Sequence, residues 1–146
     1  MAYKPRFFRL EELLDSSTAR KLSQQNSPTW EVVENLSRLC VWLDDMRLAW
    51  GSGIKCTSGF RSASVNSAVG GVRNSAHLYG NGADLYPVNG DFDGFVKFLK
   101  RWLPTYERSW DECIIESKKG SRWVHFSNYY VTGGQRRKLF EMTVKP

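Results

Sequence analysis

The 146-residue chain carries 21 Lys+Arg against 15 Asp+Glu, a net charge of +6, with 41% hydrophobic and 25% charged residues. That length can bury roughly two-thirds of its unfolded surface around one core, and the composition excludes disordered, collagen-like and low-complexity chains. No apolar run approaches the ~18 residues of a membrane span, so no stable membrane insertion is expected. Met1–Phe8 shows neither the apolar stretch nor the cleavage site of a signal peptide, so synthesis in a cytoplasm is expected.

All of the excess charge lies in residues 51–146, which hold fourteen basic and eight acidic residues; residues 1–50 hold seven of each. Such a bias favours an anionic partner, be it nucleic acid, an envelope polymer or an acidic substrate, and it also serves plain solubility. No zinc-finger, ribonucleoprotein or helix-turn-helix signature accompanies it, so nucleic acid is not the expected partner. Cys40, Cys56 and Cys113 show no Cys-x-x-Cys spacing and are expected to be reduced, buried, small hydrophobes.

In chain order, Phe7–Leu10 reads as an extended segment followed by a turn, and Ser16-Ser17 as the cap of a short helix over 17–25. Ser27 and Pro28 open a long helix over 28–50, since Trp30, Val33, Leu36, Cys40, Leu43, Met46 and Trp50 recur at gaps of three and four. Gly51 closes it. Residues 54–57 alternate as a short strand, 62–69 form a short helix ended by Gly70-Gly71, and 83–86 form a strand stopped by Pro87. Asp91 or Asp93 opens a helix carrying Phe95, Phe98, Leu99 and Trp102 on one face. Residues 112–116 and 122–126 are strands joined by a hairpin at Ser117–Ser121. The tail from 133 reads only as basic. Helices early and strands late predict an α+β fold.

The two histidines are His77 and His125. His77 sits in Ser75-Ala76-His77-Leu78-Tyr79-Gly80-Asn81-Gly82-Ala83-Asp84, whose glycines let a loop fold His77 and Asp84 onto one point. His125 lies mid-strand between aromatic neighbours. Two His and one Asp make the ligand set of a catalytic zinc site with a position left for water; they also make the facial triad of non-haem iron oxygenases, which the few strands and long helix disfavour. If Lys119-Gly120 is a two-residue loop, Glu116 pairs with Trp123 and Ile114 with His125. Glu116 and His125 then share a face as diagonal neighbours roughly 7 Å apart. Glu116 is accordingly the candidate base, against the plainer reading of an exposed strand carboxylate; Asp111 and Glu112 are the fallbacks.

Phe8-x-x-x-Glu12, Ser17-Thr18-Ala19, Asn26-x-Pro28, Leu43-x-x-x-Arg47, Thr57-Ser58-Gly59-Phe60-Arg61-Ser62, Asn66-x-x-Val69-Gly70-Gly71, Ser75-x-His77-x-x-Gly80-x-x-Ala83-Asp84 and Trp123-Val124-His125-Phe126-Ser127 occur in that order. In these motifs the chain resembles the zinc D-Ala-D-Ala carboxypeptidase family, which also holds phage L-alanyl-D-glutamate endopeptidases and shares the Hedgehog N-terminal fold. The resemblance spans nearly the whole chain. It implies a small antiparallel sheet with helices packed on one side, and one Zn2+ per chain on His77, Asp84 and His125.

The same resemblance puts Arg61 in the cleft, where a guanidinium can bind a peptide carboxylate or a developing oxyanion; a salt bridge closing the strand–helix turn is the other reading. Ser75 either contacts substrate or holds the His77 loop, and Trp123 is a further expected substrate contact. The chain departs from several relatives at Arg122, where they carry the catalytic acid three residues before the last His. Relatives with a glutamate further upstream, after an apolar strand, leave Glu116 as the base.

Implied by this resemblance is metal-assisted hydrolysis of a peptidoglycan stem peptide; the length predicts a single domain over 1–146, and a monomer is expected. Within that domain 1–27 is an N-terminal extension and 51–127 the catalytic core. The resemblance further implies action at the bacterial cell wall, as a phage lysin released after membrane permeabilisation. A non-catalytic wall- or protein-binding module with a vestigial zinc site is the alternative that Arg122 keeps open.

Overall fold

A computed structural model describes residues 3–145; Met1, Ala2 and Pro146, the ends of the expected 1–146 domain, lie outside the described residues. Among the described residues are five α-helices and five strands, with helices foremost and strands last. They are α1 (Leu10–Leu14), α2 (Ser17–Lys21), α3 (Trp30–Trp50), β1 (Ile54–Ser58), α4 (Ala63–Ala68), β2 (Gly82–Pro87), α5 (Phe92–Trp102), β3 (Glu112–Lys118), β4 (Ser121–Ser127) and β5 (Lys138–Thr143). Short 3-10 turns occupy Ala76–Tyr79 and Leu103–Thr105. No helix among the described residues is long and apolar enough to cross a membrane.

Helix α3 is set by its ends and its apolar stripe. Thr29 caps it by accepting the Val32 N–H, and Gly51 ends it with φ 78, a left-handed conformation that costs glycine little. The cap therefore falls two residues beyond the expected Ser27. Leu36, Cys40, Leu43 and Met46 are fully buried as the spacing predicts, but Trp30 is 76% exposed and Val32 is buried in its place. Leu10–Leu14, expected as a turn, is one helical turn with Leu13 in the core.

The sheet has order β1-β2-β4-β3-β5, antiparallel except for the parallel pair β3–β5. The fold class is α+β. One sheet face sends Leu85, Val124, Phe126, Cys113 and Ile115 into a single core with α3 residues and with Phe95, Phe98 and Leu99 of α5. Strand β5, absent from the sequence reading, follows the basic Arg136-Arg137 and contributes Leu139 to the core margin.

Between β3 and β4, Lys119 and Gly120 form a two-residue loop with φ of 49 and 83, so both residues adopt the left-handed conformation of a tight hairpin turn. The register follows as expected: Lys118 opposite Ser121, Glu116 opposite Trp123, Ile114 opposite His125. Asp84 also lies opposite His125, and Ser58 opposite Asp84 across a bulge. Opposed residues share a face. The face away from the core thus carries Ser58, Asp84, His125, Trp123 and Glu116 together.

The three cysteines are free; Cys40 and Cys113 are buried, which pushes their thiols up to about 12, and Cys56 is half-buried.

Candidate metal centre

His77 reaches this face from the 3-10 turn Ala76–Tyr79. Ser75 caps the turn by accepting the His77 backbone N–H at 3.2 Å, and it is buried there. Gly80 leaves the turn at φ 75, where a Cβ would lie 2.7 Å from the Val32 carbonyl. Gly82 passes so close that a Cβ would sit 3.1 Å from His125 Cε1. The two glycines of the loop therefore have distinct tasks: one reverses the chain, the other clears space for an imidazole.

The three side chains converge. His77 Nε2 lies 3.1 Å from Asp84 Oδ1, His125 Nδ1 lies 3.2 Å from His77 Nε2, and His125 Nδ1 lies 3.4 Å from Asp84 Oδ1. All three residues are buried. Two of the remaining atoms are committed elsewhere. His77 Nδ1 donates to the Gly59 carbonyl at 2.6 Å, which leaves the Nε2 lone pair facing the cluster. Arg61 Nη2 donates to Asp84 Oδ2 at 2.7 Å, which leaves Oδ1 facing it. Backbone carbonyl and guanidinium thus orient two of the donors, as supporting groups do around bound metals.

The donor set fits a divalent ion. Tetrahedral bonds of 2.0–2.1 Å to zinc separate neighbouring donor atoms by about 3.3 Å, and the three observed separations bracket that value. Electrostatics agree with Asp84 and His77 as inward-facing acceptors, toward which His125 Nδ1 donates in the metal-free protein. Burial raises the Asp84 carboxyl, but the charges and hydrogen bonds of His77 and His125 outweigh it and hold the group well below the usual carboxylate range. Burial lowers His77, and the Arg61 guanidinium adds to that effect against the pull of Asp84. Burial alone would lower His125 as well; the hydrogen bond and charge of Asp84 reverse it, so this imidazole is raised.

Arg61 touches protein acceptors with three nitrogens: Nε donates to Ser58 Oγ at 3.1 Å, Nη1 to Asn66 Oδ1 at 3.4 Å, and Nη2 to Asp84. Two of its five N–H groups stay uncommitted, and a small part of the side chain is exposed. Sequence reasoning anticipated a salt bridge at this residue without its partner.

Glu116 is half-buried in β3. Its carboxyl is raised, first by burial and then by the Asp84 charge, with His125 and Arg61 opposing. The Trp123 indole N–H lies toward it and lowers it, yet makes no hydrogen bond of standard geometry.

The fallback carboxylates are otherwise engaged. Asp111 is 1% exposed and bound by Arg136 Nε at 2.8 Å, Arg136 Nη2 at 2.9 Å and the Ser127 hydroxyl; Glu112 pairs with the same arginine at 3.2 Å. Arg122 pairs with Asp93 at 3.0 Å and covers the Phe92 ring, at the start of α5.

A family profile described as Peptidase M15 matches residues 6–126. A zinc D-Ala-D-Ala carboxypeptidase of Streptomyces albus G is 52% identical over 44 residues. That stretch covers 30% of this chain and 17% of the relative's own length.

Proposed function

We propose that this chain, which belongs to the peptidase M15 family, is a zinc-dependent hydrolase that cleaves an amide bond in a peptidoglycan stem peptide. The observation that carries the reading is the meeting of the chain's two imidazoles with Asp84 on a sheet face that also bears Glu116. His77 Nε2, His125 Nδ1 and Asp84 Oδ1 would hold one zinc ion per chain. Zinc in such a site supplies Lewis-acid polarisation of a carbonyl and lowers the pKa of water toward ~7.

Glu116 accepts the proton of the attacking water and delivers it to the leaving amine. Its raised carboxyl suits both halves of that task, since a base nearer neutrality gives the proton back more readily. Arg61 steadies Asp84, and its free N–H groups donate to substrate oxygen. Ser75 holds the His77 loop, and Trp123 lines the cleft beside Glu116. Residues 1–146 act as one domain and one monomer, with 1–27 strapped on and 51–127 carrying the chemistry. The positive charge of residues 51–146 lengthens residence on an anionic cell wall, in keeping with a phage lysin.

The test is mass spectrometry of purified muropeptides incubated with the protein, with and without chelator, alongside zinc stoichiometry. Loss of one defined peptide bond, abolished by chelator and by His77→Ala, Asp84→Ala or His125→Ala, is expected. Full activity in any of those variants defeats the assignment. Zinc binding without turnover in the unaltered protein marks a binding module instead.

A further inference from the structure

We propose that Phe140 and Met142, the outward side chains of β5, form the distal wall of the substrate cleft and select an aliphatic side chain about three residues from the scissile bond. The inference rests on the peptidase reading above and adds a specificity site to it.

The register places them. In the parallel pair β3–β5, Phe140 lies opposite Ile114 and Met142 opposite Glu116. Since paired residues share a face, one row across the sheet reads Asp84, His125, Ile114, Phe140, and the next reads Trp123, Glu116, Met142. Phe140 stands two strands from His125, roughly 10 Å at the usual strand spacing. An extended peptide advances about 3.3 Å per residue. A substrate whose reacting carbonyl sits at the cluster, laid along this row, therefore meets Phe140 with about its third residue.

The side chains are shaped for that contact and have no evident role in the fold. Phe140 is 39% exposed and Met142 41%, while the intervening Leu139 packs against the core. Edge strands ordinarily turn charge, not large apolar groups, toward solvent. Single exposed apolar residues need no explanation. Here, however, two lie side by side and continue into Ile114, which is buried on this face outside the main core, while half-buried Trp123 stands beyond Glu116 in the second row. The Trp123 indole N–H leans toward Glu116 but makes no standard hydrogen bond among the described residues, so it still lacks a partner. A peptide carbonyl above the second row supplies one, so the patch offers an apolar wall with a donor at its inner end. That combination fits an extended peptide better than a lipid or a flat protein surface.

The experiment compares zinc-loaded protein with its Phe140→Ser/Met142→Ser variant on the pentapeptide L-Ala-D-Glu-L-Lys-D-Ala-D-Ala and on the dipeptides D-Ala-D-Ala and L-Ala-D-Glu. Steady-state kinetics and calorimetric Kd are both recorded. The variant is expected to raise KM and Kd for the pentapeptide at least tenfold. The dipeptide constants, kcat on the pentapeptide and zinc stoichiometry should stay within twofold of the unaltered protein. Phe140→Leu/Met142→Leu restores pentapeptide affinity, which separates a lost contact from a disturbed strand.

Equal effects on long and short peptides, no effect on either, or no binding of the pentapeptide by the unaltered protein overturns the wall. So does sedimentation showing a dimer that the serine variant dissociates, because the patch then belongs to a second copy. Pentapeptide binding without cleavage in the unaltered protein defeats the peptidase reading while the Kd comparison still decides the wall.

Discussion

Arg61 commits three N–H groups to the protein, one each to Asp84, Ser58 and Asn66, and keeps two free. If its main task is to steady Asp84, Arg61→Met weakens zinc affinity about 10–100-fold, the usual effect of removing a supporting partner; chelator competition measures this. An unchanged zinc affinity with raised KM would assign Arg61 to substrate alone.

Glu116 gives a pH-dependent expectation. Its folded-state pKa lies above the unfolded value because burial and then Asp84 disfavour the charge. Ionisation therefore opposes folding above the folded pKa and has no effect below the unfolded one, about 4.3. Glu116→Gln should raise the Tm of the metal-free protein near pH 7 and leave it unchanged near pH 3.5, by calorimetry at both. The same variant should retain zinc and lose turnover. His77, Asp84 and His125 stood out in the sequence because two side chains are rare in it and one aspartate closes a glycine-bearing loop. The partner of Arg61 was not, since Asp84 is 23 residues away and only the fold joins them.

At the scale of elements, the hairpin decides whether Glu116 faces the cluster, for an odd loop length would have turned it to the other side. Ser-Lys-Lys-Gly-Ser announced a hairpin but left its loop length open, and Lys119 at φ 49 is a poor occupant of a left-handed position. Lys119→Asn should stabilise the protein by about 0.5–1 kcal/mol, with zinc binding unaltered, as read by denaturant unfolding. Helix α1 escaped sequence reading because five residues show no period and Arg9 makes no side-chain cap. Strand β5 escaped because Arg136-Arg137-Lys138 reads as a solvated charge run, and only Leu139 turns toward the core. Trp30 fitted the α3 stripe in spacing yet lies on the first turn, where little packs over it.

Across the whole molecule, the N-terminal segment is tied down by one buried carboxylate. Asp44 accepts from Tyr3 Oη at 2.6 Å, from the Arg6 N–H at 2.8 Å and from the Phe7 N–H at 2.9 Å. Asp44→Ala leaves those donors unmet and should cost about 3 kcal/mol, with earlier proteolysis of the segment before α1 as a second readout. In the sequence Asp44 is one acid among several on α3; a partner 37–41 residues earlier leaves no local trace. The charge asymmetry between the halves was legible at once, because counting needs no fold.

The two rings of the cluster present different nitrogens: His77 turns Nε2 inward while its Nδ1–H is spent on Gly59, and His125 turns Nδ1 inward. With no third histidine in the chain, long-range proton–nitrogen NMR of imidazole-labelled protein becomes a spectrum of this one place. Adding zinc should leave the His77 tautomer as it is and move the His125 proton from Nδ1 to Nε2. The two signals would then be told apart by chemistry alone, without assignment by mutagenesis.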